Sequence, residues 1–275
     1  MTFSPDDSAS LTVEGGSLYW ASTGRGPALV LIHAGIADHS MWDDDVPSFA
    51  GGHRVITYDC RGYGRAVRTD SAYSNRADLA ALLDHLKIER AALLGCSRGG
   101  QIAVDFALER PERVTALVAV ATGPGGLEHE PTTAERALFD AEEPLWQARD
   151  WAALADLDVR LWVDGVGQSP LRVPAAIRER VRAMSLANYA AGYPEGRPVP
   201  LDPPAAARLG DIRAPTLVLH GDLDVSAVSA GAEALERGIP GARRVLLSGV
   251  AHIVNLERPD DFRRHVRGFL GEFGA

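Results

Sequence analysis

Residues 28–32 read Ala-Leu-Val-Leu-Ile, apolar at every position. A strand with one wet face alternates apolar and polar side chains, so an unbroken apolar run of this length marks a strand covered on both faces, hence parallel and central. The same texture returns in 54–58, 91–94, 114–121 and 216–219. Parallel neighbours cannot be joined by a tight hairpin and need a crossover, usually a helix. Helical patterns fill most of these intervals. Leu79, Leu82, Leu83 and Leu86 make one apolar stripe, and Phe262, Val266, Phe269, Leu270 and Phe273 make another. This alternation predicts an α/β fold with a mostly parallel central sheet and helices on both faces. Ahead of it, residues 11–14 and 17–23 flank Gly15-Gly16 and predict a hairpin.

Between residues 123 and 210 the buried-strand texture stops. Trp146, Trp151, Trp162, Tyr189 and Tyr193 appear among Ala-rich and Arg/Glu-rich helical stretches, and residues 194–204 contain five prolines. This predicts a helical cap, or lid, inserted after the sixth strand, with the proline-rich stretch as its extended return. The core is then 1–122 together with 211–275. A chain of 275 residues suits one large domain with such an insertion.

The formal charge of −9 argues against nucleic acid and anionic membrane as main partners, since both favour a basic face. No run of about 18 apolar residues is present to span a bilayer. Residues 1–10 lack the basic start and apolar stretch of a secretion signal, and two cysteines, Cys60 and Cys96, fit a reducing compartment. The expected setting is cytoplasmic, with a small molecule as partner. No cofactor or metal is expected: no His/Cys cluster has zinc spacing. Asp43-Asp44-Asp45 reads as a solvated loop or helix start, and residues 59–64 as a loop shaping the sheet edge.

One strand ends in chemistry. Gly95-Cys96-Ser97-Arg98-Gly99 follows the apolar run 91–94 and leads into a helical pattern at 101–108. Glycines on both sides of a serine let the backbone turn sharply and let strand and helix close on it, as in a nucleophile elbow. The N–H of Arg98 then points at whatever Ser97 attacks. A serine hydroxyl needs a base to take its proton and an acid to orient that base, past the carboxyl ends of other strands. His220-Gly221-Asp222-Leu223-Asp224 turns off one strand end, offering two carboxylates, and Gly249-Val250-Ala251-His252 follows another short strand.

With His33-Ala34-Gly35 and Asp59-Cys60-Arg61-Gly62-Tyr63-Gly64, these five motifs resemble, in family order, the α/β-hydrolase fold superfamily of the capped esterase/lactonase type. The resemblance covers nearly the whole chain outside the cap. It implies Ser97 as nucleophile, His252 as base and then acid, and Asp224 rather than Asp222 as the orienting carboxylate; it gives His33 a structural place. It also implies a second oxyanion donor after His33, from Gly35 or, second, Ile36. Ala34 stands where the family more often has glycine. For the side chain of Arg98, an internal ion pair is expected ahead of contact with an acidic substrate.

The function these residues predict is hydrolysis of a small, largely apolar ester or lactone through an acyl-enzyme. The pocket residues expected are Trp42, Phe139, Trp146, Trp151, Trp162, Tyr189, Val225 and Ile253. The alternatives on the same scaffold are a small-molecule receptor with little or no turnover, a perhydrolase or cofactor-free haloperoxidase, and a carbon–carbon bond hydrolase. Relatives that attack with an aspartate, the epoxide hydrolases and haloalkane dehalogenases, are set aside because position 97 is serine.

Overall fold

A computed structural model describes residues 4–68, 71–192 and 197–274. Its centre is the sheet, with strands β1 (Asp7–Val13), β2 (Gly16–Thr23), β3 (Ala28–Ile32), β4 (Arg54–Asp59), β5 (Val67–Arg68), β6 (Ala91–Cys96), β7 (Val114–Val120), β8 (Thr216–Gly221) and β9 (Arg243–Leu247). Strand order is β1-β2-β4-β3-β6-β7-β8-β9, with β5 beside β2. β1, β2 and β5 pair antiparallel; from β4 onward every pair is parallel. The five apolar runs are thus the consecutive inner strands, with β6 between β3 and β7.

Each inner strand feeds two cores, because successive side chains point to opposite faces. Leu29 and Leu31 face a cluster with Phe49 of α1 (Val46–Ala50), with Val254 and Leu256 of α9 (Val254–Glu257), and with Phe262, Val266, Phe269 and Leu270 of α10 (Pro259–Phe273). Val30 and Ile32 face the other side, against α2 (Asn75–His85), α3 (Arg98–Glu109) and α8 (Ser226–Gly238). The leucine stripe of α2 is buried as expected, whereas Phe273 at the end of α10 is 44% exposed. The first hairpin strand starts four residues earlier than the sequence pattern, at Asp7, because its outer side chains face water and carry no apolar signal.

Between β7 and β8 run α4 (Thr133–Phe139), α5 (Glu142–Ala148), α6 (Trp151–Asp158), a π-helical turn (Val159–Asp164) and α7 (Ala175–Ala190). The small strand β5 makes β7 the seventh in chain order, one later than the apolar runs suggest. Val159, Val163, Val181 and Met184 join the cluster of the α10 face, so this segment shares a core with the sheet. Asn188 fastens α7 to the loops below, donating to the Ala37 carbonyl at 3.1 Å and accepting from Gly64 N–H at 3.0 Å. Beyond α7, Tyr73 and Pro198 bridge the return to the core. Tyr193 and the start of the proline-rich stretch lie outside the described residues.

Asp45 stands at a helix start, the N-cap of α1, but it is not solvated. It is buried, held by Asn255 at 2.9 Å and Arg263 at 2.7 Å, and burial pushes its carboxyl up to about 6 against those two partners. The run 43–45 looks polar in sequence, yet one of its three carboxylates pins α1 to α10 instead of facing water.

Candidate active site

Ser97 joins β6 to α3 with φ 54° and ψ −118°, a left-handed conformation that costs a non-glycine residue about 1–3 kcal/mol. Its neighbours explain why glycine is required there. A Cβ on Gly95 would lie 2.1 Å from the Gly99 carbonyl oxygen, and one on Gly99 would lie 2.2 Å from that of Ile32. The turn is held from β7: Ser97 N–H donates to the Val120 carbonyl at 2.8 Å, and the Thr122 hydroxyl donates to the Ser97 carbonyl at 2.8 Å. Ser97 therefore sits at the positive end of the twelve-residue helix α3, where developing negative charge is favoured.

Asp224 and His252 meet from loops after β8 and β9. His252 Nδ1 lies 2.7 Å from Asp224 Oδ2, and both side chains are nearly closed to solvent. The other carboxylate oxygen accepts from Val225 N–H at 2.8 Å, which fixes its direction. With Nδ1–H donating to the carboxylate, Nε2 is left as the acceptor. Asp222 is occupied elsewhere, accepting from the Ser248 hydroxyl at 2.8 Å and Gly249 N–H at 2.6 Å; these bonds outweigh its desolvation and hold its carboxyl below the ordinary value.

Ser97 and His252 line one cavity of about 250 Å³, together with Phe139, Trp162 and Val225. Trp162, in the π-helical turn, lies over the imidazole with ring centroids 4.6 Å apart, and its carbonyl accepts from His252 N–H at 3.2 Å. The remaining expected pocket residues go elsewhere. Trp42 is fully buried and stacks on Phe262 at 6.0 Å, and Ile253 is buried in the same core cluster. Trp146, Trp151 and Tyr189 pack on one another, with centroids 5.4 to 6.1 Å apart, holding α5, α6 and α7 together. Aromatic content marked the right segment but not which rings face inward.

Sequence reading also missed residues that border the cavity, among them Gln101, Thr122 and His129. Gln101 carried a signal, standing one helical turn beyond Ser97 on α3. His129 belongs to a tie between loop and helix: its Nε2 lies 2.8 Å from the Ser226 hydroxyl, which donates to Glu135 at 2.6 Å.

Gly35 and Ile36 follow β3, beside the elbow. Gly35 lies against Arg98 and Tyr63, where an added Cβ would meet Arg98 Cδ at 3.7 Å. Ile36 packs on the core. Beneath them His33 is fully buried, its Nδ1 at 2.7 Å from the Ala34 carbonyl and its Nε2 accepting from Cys60 N–H at 3.0 Å, so both ring nitrogens are used in holding the loop. The ion pair expected for Arg98 does not form among the described residues. Its Nη2 donates to Asn75 Oδ1 at 3.2 Å and its guanidinium lies 4.5 Å over the Tyr63 ring.

Asp38, His39 and Asp59 bring three possible metal-ligand atoms within 4.8 Å of one another. Their lone pairs already serve the chain: Asp59 accepts from His39 N–H and Arg65 N–H, both at 2.8 Å, and Asp38 accepts from Ser40 N–H at 2.8 Å. The cluster braces loops. Among the described residues no helix is long and apolar enough to cross a membrane.

Known proteins share this fold. Residues 27–166 match the family model of the alpha/beta hydrolase fold. A pimeloyl-[acyl-carrier protein] methyl ester esterase of Nitrosomonas europaea is 29% identical, the match covering 90% of this chain and 96% of that one. A 2-hydroxy-6-oxononadienedioate/2-hydroxy-6-oxononatrienedioate hydrolase of Cupriavidus pinatubonensis is 31% identical, covering 82% and 78%. Among solved structures, an enol-lactonase from Burkholderia xenovorans superposes with a TM-score of 0.76 at 26% identity, covering 96% and 100%. The chain belongs to the α/β-hydrolase fold family.

Proposed function

We propose that this hydrolase cleaves a small ester or lactone through an acyl-enzyme, with Ser97 as nucleophile, His252 as general base and then acid, and Asp224 orienting the imidazole. The observation that carries the reading is the 2.7 Å contact of His252 with Asp224 on the cavity that Ser97 also lines. Ser97 Oγ attacks the carbonyl carbon as its proton passes to His252 Nε2. Asp224 stabilises the imidazolium without itself taking the proton. The new oxyanion faces Arg98 N–H and an amide of the loop after β3, Gly35 or Ile36, each donor contributing about 3 kcal/mol. His252 then protonates the leaving alcohol, and a water activated by the same nitrogen releases the acid.

Segment 123–210 acts in this reading as a cap, with Phe139 and Trp162 closing the cavity over Ser97 and excluding water. The esterase and enol-lactonase among the relatives favour ester or lactone substrates. The second reading, carbon–carbon bond hydrolysis, draws on the hydrolase of Cupriavidus pinatubonensis. A fluorophosphonate probe followed by peptide mapping tests the nucleophile: labelling on Ser97 is expected, and labelling elsewhere or none defeats it. Turnover of short 4-nitrophenyl esters, abolished in Ser97→Ala, separates an enzyme from a receptor, and a screen of esters, lactones and vinylogous diketones separates the two enzyme readings.

A further inference from the structure

Gln101 borders two cavities. One is the chamber of about 250 Å³ with Ser97 and His252; the other, of about 610 Å³, lies between α3, the start of α2, the loop at Gly125 and the return segment 198–201. Cavities that enclose a small ligand run to roughly 300–1,000 Å³, so the first alone is short of that range and the second is within it. The walls of the larger one differ. Arg98, Gln101 and Asp105 recur at i, i+3 and i+7 along one face of α3 and make it polar, while the return segment, Pro198 to Leu201, has apolar side chains.

The charges along the polar wall are unequal. Arg76, also on this cavity, is matched by Glu109 at 3.2 Å and faces Asp105 at 4.0 Å. Arg98 has no carboxylate within 4.0 Å among the described residues, and its Nη1 is buried without a hydrogen-bond partner. Asp78 feels its charge but is held by two bonds from Arg61, at 2.6 and 2.7 Å. Arg98 is only partly buried, but its Nη1 is closed to water, and a buried N–H without an acceptor costs stability until one completes it. The excess positive charge is thus at the Ser97 end of the cavity, and Asp105 stands about 10 Å farther along the helix.

We propose that the larger cavity is the second half of the substrate site, reached past Gln101, and that it takes a short substrate arm ending in a carboxylate, received at Arg98 with Asn75. This rests on Ser97 as nucleophile and narrows the substrate class to esters or lactones whose acyl part carries a second acid group. Arms long enough to bring that carboxylate to Asp105 are disfavoured by like charge.

The mono-4-nitrophenyl ester of adipic acid against 4-nitrophenyl valerate, its counterpart without the carboxylate, gives the test. The expected kcat/KM ratio is at least ~10 in favour of the acid, as for a charge-assisted hydrogen bond. Arg98→Met lowers that ratio about tenfold, and Arg98→Lys restores part of it. Gly125→Leu lowers it too by filling the cavity, since a Cβ on Gly125 meets nothing within 4 Å and the substitution strains no backbone. A wild-type ratio at or below one, or a ratio unmoved by both Arg98→Met and Gly125→Leu, overturns the proposal. Calorimetry of adipate and valerate on Ser97→Ala reads the cavity apart from the nucleophile: tighter binding of adipate, by about tenfold, supports the site, and equal binding overturns it whether or not Ser97 attacks.

Discussion

At Ser97 the backbone is strained and its surroundings leave it no alternative. Because the carbonyl oxygen of Gly99 stands where a Cβ on Gly95 would go, Gly95→Ala must push β6 and α3 apart. We expect a loss of more than ~2 kcal/mol in urea unfolding, or no folded protein, the range of changes that force backbone to shift. The two carboxylates after β8 have different partners. Asp224→Asn should lower kcat by roughly 10⁴ with KM little changed, as when an imidazole is held in the wrong tautomer. Asp222→Asn should change kcat by less than about tenfold, since its partners are Ser248 and Gly249. The placement of Ser97, Asp224 and His252 past strand ends was legible in the sequence because each follows its strand in a short, glycine-marked turn. The surroundings of Arg98 and Asp45 were not. Whether a charged side chain meets a carboxylate or is buried beside an amide depends on which distant element packs against it, and no local pattern encodes that. Asp105 shows the same limit: burial pushes its carboxyl up to about 6, and the Arg76 charge offsets only part of that. An acid raised in this way favours the fold below its unfolded value of 3.8 and loses that contribution as pH rises through about 6. Asp105→Asn is therefore expected to raise Tm at pH 8 relative to wild type, and to make little difference at pH 4.

At the scale of elements, α4 and α8 share one carboxylate. Glu135 accepts from Thr132 N–H at 2.7 Å in a capping box, and also from the Ser226 hydroxyl and N–H at the start of α8, two residues beyond Asp224. Thr132→Ala removes half of the box and should cost about 1 kcal/mol. Glu135→Ala also releases α8, so a larger loss is expected, with a fall in kcat that Thr132→Ala does not share; chemical denaturation and steady-state kinetics check both. The loop after β3 is tied to β4 by His39 and Asp59, 2.8 Å apart. Burial alone would lower the value of His39, but its bond to Asp59 and the charge of that residue raise it; the same bond holds Asp59 below the ordinary carboxylate value against its own desolvation. The histidine contribution is full below 6.5 and fades as pH rises through the raised value; the aspartate contribution is present above 3.8 and fades as pH falls. His39→Gln should thus cost most stability between about pH 4 and 6.5 and less at pH 8, as read from melting curves across that range. Elements with a strict apolar period could be read from sequence, whereas the π-helical turn at 159–164 and the two-residue strand β5 carry no period to read.

For the whole molecule, the five continuous apolar runs determined most of what can be said from sequence. They require a sheet covered on both sides, and the two clusters that divide Leu29 and Leu31 from Val30 and Ile32 are the result. Segment 123–210 was legible only as a change of texture. Its rings could serve α5, α6 and α7 or the cavity equally well, and packing among the helices claimed Trp146, Trp151 and Tyr189. Trp162 went the other way and touches both cavity and imidazole. That contact ties the π-helical turn to the loop that carries His252. The two links differ in kind: the carbonyl that anchors His252 survives any substitution at 162, whereas the aromatic cover goes with the indole.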